Sequence, residues 1–270
     1  MSVRDTETFL RLLAAEPGVL VTVQAVQGSG PREAGAWMAV FAGGVVNTIG
    51  GGHLEFQAIE AARALLGAGA GAGESVRRYA LGPSLGQCCG GVVHLRFEPV
   101  DAARREAIRA RLSGTLTPVA LFGGGHVGKA LIQVLGTLPM AVTWIDSRDE
   151  IFPDALPFNV RSEHSDPVQA AVGDLAPGAR VLIMSFSHAE DLDVVAACLM
   201  RLRARDDLPY IGLIGSRTKW ATFRHRLLAR GFADHELARV TCPIGIPGIT
   251  GKAPEVIAVA VAAQLLLDGA

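Results

Sequence analysis

An apolar run at residues 119–122 ends in Gly123, Gly124, Gly125, His126, Val127 and Gly128, and a helix-periodic stretch opens at His126. Few patterns restrict a chain more. A buried strand that turns at once into a helix needs backbone without Cβ atoms, and G-x-G-x-x-G supplies it at Gly123, Gly125 and Gly128. The first glycine permits the tight turn, the second lets backbone approach phosphate, and the third lets helix and strand pack closely. Asp146 stands at the end of a second apolar run, residues 142–145, about 20 residues past the start of the motif. Strand, glycine turn, helix, strand and terminal acid together predict a Rossmann unit.

In such a unit Asp146 accepts from a ribose hydroxyl and repels a 2′-phosphate, which favours an NAD-like ligand, although Arg148 weakens that preference. A helix terminus is worth about 0.3–1 kcal/mol to a nearby charge, and each hydrogen bond to a charged oxygen about 1.5–3 kcal/mol. Two or three aimed N–H groups therefore decide anion binding. A second reading stays open, in which the glycines serve packing and no dinucleotide binds. Alternation continues with strands at 181–185 and 210–214, helices at 192–204, 220–229 and 254–267, and a proline opening the last helix. Such βα alternation predicts a parallel sheet covered on both faces.

No dehydrogenase set accompanies the turn, because Tyr79 and Tyr210 are the only tyrosines and neither begins Tyr-x-x-x-Lys. The polar cluster Ser187, His188, Ala189, Glu190, Asp191 follows the 181–185 strand, where open α/β sheets place ligands. His188 is there a candidate acid or base, or part of a helix cap.

The preceding part reads differently, as an α+β unit. Helices are expected at 6–15, 54–66 and 101–112, and strands at 19–26, 37–41, 45–49, 76–81 and 92–97, with a hairpin turn at 42–44. The boundary is expected at residue 113, giving an N-terminal domain over 1–113 and a Rossmann-type domain over 114–270. Gly50, Gly51, Gly52 and His53 repeat the Gly-Gly-Gly-His tetrapeptide of Gly123 to His126, again between an apolar run and a helix. This first copy is either a second anion cradle or only a tight turn. Both histidines stand at helix starts, positions suited to hydrogen-bonding roles. A third glycine-rich element holds adjacent thiols at Cys88 and Cys89, followed by Gly90 and Gly91. An accessible thiolate there would be a nucleophile, a soft ligand or a carrier of sulfane sulfur; the alternative is one buried cysteine beside a bystander.

Composition limits the partners. The 270 residues are 50% apolar with a net charge of −1, so nothing in the charge argues for a nucleic acid. Four cysteines without C-x-x-C spacing argue against a structural zinc site or a disulfide scaffold, and reduced thiols fit the cytoplasm. The start of the chain lacks signal-peptide features, and the longest apolar stretch, 256–267, is too short to span a bilayer.

Taken in order, Gly50 to His53 with Glu55, the loop at 86–91, the 123–128 motif with Asp146 and the 243–255 run resemble the xanthine dehydrogenase accessory protein family (XdhC/CoxI). The likeness covers nearly the whole chain. It implies a protein that binds molybdenum cofactor (molybdopterin) and guards it while a cysteine desulfurase supplies sulfur to exchange an oxo for a sulfido ligand. It also implies help in inserting the cofactor into the molybdenum subunit of xanthine dehydrogenase, and a homodimer. The family's Cys-Gly-Gly falls on Cys89, Gly90 and Gly91, with Cys88 as an extra thiol. Its glycine-rich stretches fall on Gly50 to His53 and Gly123 to Gly128, and its C-terminal glycine and proline segment on 244–254. The expectation is a carrier whose two Gly-Gly-Gly-His copies flank one cleft. The competing functions are an NAD-dependent oxidoreductase using His188, or a Rossmann domain that only docks partners.

Overall fold

The computed structural model describes residues 3–68, 73–81, 90–113 and 116–267, and the chain divides into two compact units, Met1–Gly114 and Thr115–Ala270. Cys88 and Cys89 lie outside the described residues.

The first unit runs α1 (Val3–Leu13), β1 (Gly18–Gln27), β2 (Trp37–Phe41), β3 (Gly44–Val46), α2 (Gly52–Gly67), β4 (Ser75–Ala80), β5 (Val92–Val100) and α3 (Arg105–Ser113). Its sheet has the order β3-β2-β1-β5-β4, every pairing antiparallel. Both faces of β1 are covered. Val19, Val21 and Val23 join Val93, Leu95 and Phe97 on the face that receives α2, whose buried Leu54, Ala58 and Ala62 recur every fourth residue as one helix stripe. On α1, Phe9 reaches the rings of Trp37 and Phe41 at 5.3 and 6.0 Å. Arg105 Nε of α3 donates to the Leu10 carbonyl at 3.0 Å, tying α3 to α1.

The second unit contains β6 (Thr117–Phe122), α4 (His126–Leu135), β7 (Met140–Asp146), β8 (Val160–His164), β9 (Arg180–Ile183), α5 (His188–Arg205), β10 (Tyr210–Leu213), α6 (Arg217–Ala229), α7 (Asp234–Leu237), β11 (Val240–Thr241) and α8 (Pro254–Leu267). The strands lie in the order β11-β10-β9-β6-β7-β8, all parallel. The chain starts at the centre of the sheet with β6, builds outward through β7 and β8, then crosses to β9 and builds the other way. That is the dinucleotide-fold order, with its reversal between β6 and β9.

Strand β6 shows why the alternation is doubly apolar. Val119 and Leu121 face Leu131, Ile132 and Leu135 of α4 and Ala258, Val261, Ala262 and Leu265 of α8. Ala120 and Phe122 face Val194, Val195, Cys198 and Leu199 of α5 and Phe223 and Leu227 of α6. Successive side chains enter opposite cores, so a central strand has no polar face. The fold class expected from sequence, a C-terminal Rossmann-type parallel sheet preceded by an α+β unit, is the one observed. No helix among the described residues is long and apolar enough to cross a membrane.

Candidate functional site

The turn between β6 and α4 separates the roles of its glycines. A Cβ on Gly123 would meet the Met184 carbonyl oxygen at 2.0 Å, and one on Gly128 would meet the Gly123 carbonyl oxygen at 2.1 Å. Both are required by backbone packing, and Gly123 also has φ +120°. Gly124 is hemmed in by Ile151, at 2.5 Å from the same construction. Gly125 differs. Its φ is −70°, open to any residue, and nothing lies within 4 Å of where its Cβ would stand. It caps α4 with no side-chain partner on the cap, and both it and His126 are exposed.

Asp146 is buried at the end of β7, and its carboxylate is already engaged. Oδ2 accepts from Gly124 N–H at 2.6 Å and Arg148 Nη2 at 3.0 Å; Oδ1 accepts from Arg148 N–H at 3.0 Å and Arg148 Nε at 2.8 Å. Four donors fill the roughly four acceptor sites of a carboxylate. Burial alone would raise this carboxyl, but the hydrogen bonds from Arg148 and Gly124 overcome it and hold the group below the ordinary range. Hydrogen bonding to Asp146 in turn pushes the Arg148 guanidinium further up. The acceptor that the sequence assigns to a ribose hydroxyl thus serves an internal arginine.

The His188 cluster resolves into distinct jobs. Ser187 Oγ accepts from Glu190 N–H at 3.2 Å and Glu190 Oε2 accepts from Ser187 N–H at 3.3 Å, a reciprocal cap on α5. Asp191 accepts from Ser185 N–H at 2.7 Å and from Lys219 Nζ at 2.6 Å, and Lys219 also donates to the Ile214 carbonyl at 2.8 Å. This buried pair links the turns that leave β9 and β10. His188 itself is exposed, its ring 6.3 Å from that of Phe223 and edge-on to it. The sequence reading missed Lys219; Ser216 capping α6 three residues before it was the available signal, since Ser216 Oγ accepts from Lys219 N–H at 3.1 Å.

In the first unit, Gly50, Gly51 and Gly52 all adopt positive φ, at 122°, 75° and 69°. Their turn already holds an anion. Glu55 Oε2 accepts from Ile49 N–H at 3.0 Å, from Gly51 N–H at 3.1 Å and from the Thr48 hydroxyl, while Gly50 N–H donates to Thr48 Oγ1 at 2.9 Å. His53 points along α2, 6.2 Å from the Phe56 ring and 3.2 Å from Gln57 Nε2.

The loop that follows β1, Gly28 to Pro31, packs against both this turn and the root of the β4–β5 connection. A Cβ on Gly50 would strike Pro31 Cβ at 2.5 Å, and one on Gly91 would strike the Ser29 carbonyl oxygen at 2.2 Å. The Gly91 carbonyl accepts from Leu81 N–H at 2.7 Å, which closes the base of the β4–β5 connection. Gly91 is therefore fixed by packing, while Gly90 has open space around its Cβ position. Among the described residues the free thiols are Cys198 and Cys242. Burial pushes Cys198 up to about 12 and Cys242 up to about 11, so both are protonated thiols near neutrality.

Fold and site together define a two-domain protein: an antiparallel α+β unit with a self-filled glycine turn, and a complete Rossmann unit with an open glycine at its helix cap. The XdhC Rossmann domain matches residues 119–265, and the XdhC and CoxI family matches residues 12–80. The chain belongs to the XdhC/CoxI family. It is 27% identical over 256 residues to the uncharacterized Escherichia coli (strain K12) protein YqeB, a match that takes in 93% of this chain and 43% of YqeB. The chain thus spans less than half the length of that curated relative. A Bacillus halodurans crystal structure described as a xanthine dehydrogenase is similar in fold, with a TM-score of 0.73 and 20% identity over 98% of this chain and 95% of that one.

Proposed function

We propose that the protein is an accessory carrier of molybdenum cofactor. In this reading it holds the cofactor while a cysteine desulfurase provides sulfur to replace an oxo ligand with a sulfido ligand, and then assists insertion into the molybdenum subunit of a xanthine dehydrogenase. Family membership supports an accessory role rather than a catalytic one. The observation that carries the cargo reading is Gly125. The fold asks for no glycine there, in φ or in space, and nothing of the chain lies within 4 Å of where its Cβ would stand at the start of α4. A phosphate-bearing cargo explains the missing Cβ, because backbone N–H groups at a helix start suit a phosphate oxygen. Molybdopterin has such a phosphate, and its sulfur-bound metal suits a soft thiol environment, which Cys88 and Cys89 would supply.

The test is the content of protein purified from a host that makes the cofactor. We expect molybdenum and pterin to copurify with it, and Cys89→Ala to lower loading. Protein that never acquires pterin or molybdenum from such a host would sink the proposal.

A further inference from the structure

A Rossmann turn implies a dinucleotide, and the residues around this one do not fit it. A dinucleotide in this fold runs from a ribose at the acid ending the second strand, across the glycine turn, into the crevice where strand order reverses. Here those landmarks are Asp146, Gly123 to Gly125, and the gap between β6 and β9. All the acceptor sites of Asp146 are taken by Arg148 and Gly124.

Beyond Asp146 the same segment continues over the turn. Strands β7 and β9 flank β6, so their ends are two strand spacings apart, about 10 Å. Side chains from both close that gap above the exit of β6. Ser147 Oγ donates to Glu190 Oε1 at 2.7 Å, and the Arg148 guanidinium lies 4.3 Å from the centroid of the Phe186 ring. One guanidinium therefore neutralises the ribose acceptor and stacks on an aromatic ring across the path.

We infer that Arg148, clamped between Asp146 and Phe186, closes the Rossmann crevice of this protein to dinucleotides. The acids near Arg148, with Glu150 and Glu190 beside Asp146, also leave it poorly placed to take a 2′-phosphate. NADP should be refused as NAD is. This inference is independent of the cofactor cargo, and its test does not measure pterin.

Isothermal titration calorimetry on the full chain, with NAD+, NADP+ and ADP-ribose, tests it on wild type, Arg148→Ala and Phe186→Ala. For wild type we expect no saturable binding up to about 1 mM. Each variant should bind ADP-ribose at least tenfold tighter than wild type. Arg148→Ala strands the buried Asp146 carboxylate and can lower the melting temperature. Phe186 is 67% exposed, so Phe186→Ala decides if the first variant does not fold: without the ring the Arg148 guanidinium loses its stacking partner and can swing off Asp146 when a ribose arrives. Micromolar binding of any of the three ligands to wild type would overturn the inference. So would the absence of a tenfold gain in every variant that melts as wild type does.

Discussion

Replacing Gly125 and Gly128 separately by alanine distinguishes a glycine kept for the fold from one kept for a ligand. At Gly128 the new methyl carbon would start 2.1 Å from the Gly123 carbonyl oxygen and 3.1 Å from its carbon. Both atoms are backbone at the end of a central strand, and neither can rotate away. Overpacking of this kind costs about 3 kcal/mol or more. For a unit of this size that lowers the melting temperature by about 6–12 °C. At Gly125 the methyl enters open space from an ordinary φ of −70°. Alanine is a poorer helix cap than glycine by a few tenths of a kcal/mol to about 1, and the unfolded chain loses about 0.4–1 kcal/mol of freedom in the opposite sense. The net change is about zero. Scanning calorimetry on wild type and both variants reads the contrast directly, and pterin loading measured on the same samples should fall for Gly125→Ala although its melting is unchanged. If Gly125→Ala melts as early as Gly128→Ala, the fold needs that glycine too, and the argument for a ligand at the α4 cap fails.

Alkylation by iodoacetamide at pH 7.5 on native protein should leave Cys198 and Cys242 unmodified over times that label an exposed thiol fully, because burial raises them to about 12 and about 11; mass spectrometry locates the labels, and rapid native labelling of Cys198 would contradict the packing described. The Asp146 carboxyl is lower in the folded state than its unfolded value of 3.8, so its stabilising contribution is complete above that value and is lost as pH falls through the folded one. Asp146→Asn should therefore cost melting temperature at pH 7, and the gap between the two proteins should narrow below about pH 4. A gap that stays constant down to pH 2 would mean that the Arg148 and Gly124 hydrogen bonds do not stabilise the ionised form.

Most of the Rossmann unit was legible because its strands are buried on both faces. Helices His126–Leu135 and Pro254–Leu267 begin and end where periodicity places them. Two edge strands escaped for a physical reason. Of Val160–His164 only Val160 is buried, and Val240–Thr241 is two residues long, so neither has the apolar run that marks an interior strand. The polar cluster after β9 was found, but its division of labour was not. Glu190 returns to its own helix start, whereas Asp191 reaches Lys219, 28 residues away in sequence. A pairing at that separation leaves no mark in local pattern. The α2 helix begins at Gly52, two residues earlier than periodicity suggests, because glycines carry no side chain from which to read a buried face.

The two Gly-Gly-Gly-His copies show how little a tetrapeptide says about which N–H groups remain for a ligand. In each, a carboxylate of the same chain takes an N–H of the glycine turn: Glu55 at Gly51, four residues ahead, and Asp146 at Gly124, 22 residues ahead. The first acid is local and visible beside the motif; the second arrives through the sheet. The difference that bears on function lies in the third glycine. Gly52 has φ +69°, a conformation that by itself calls for glycine, so nothing about a ligand follows from its identity. Gly125 has φ −70° and empty space where a side chain would stand. Capping alone favours Ser, Thr, Asn or Asp there at least as well as glycine, so an incoming group is the better reason for that position to lack a Cβ, and with Asp146 committed to Arg148 that group need not bring a ribose.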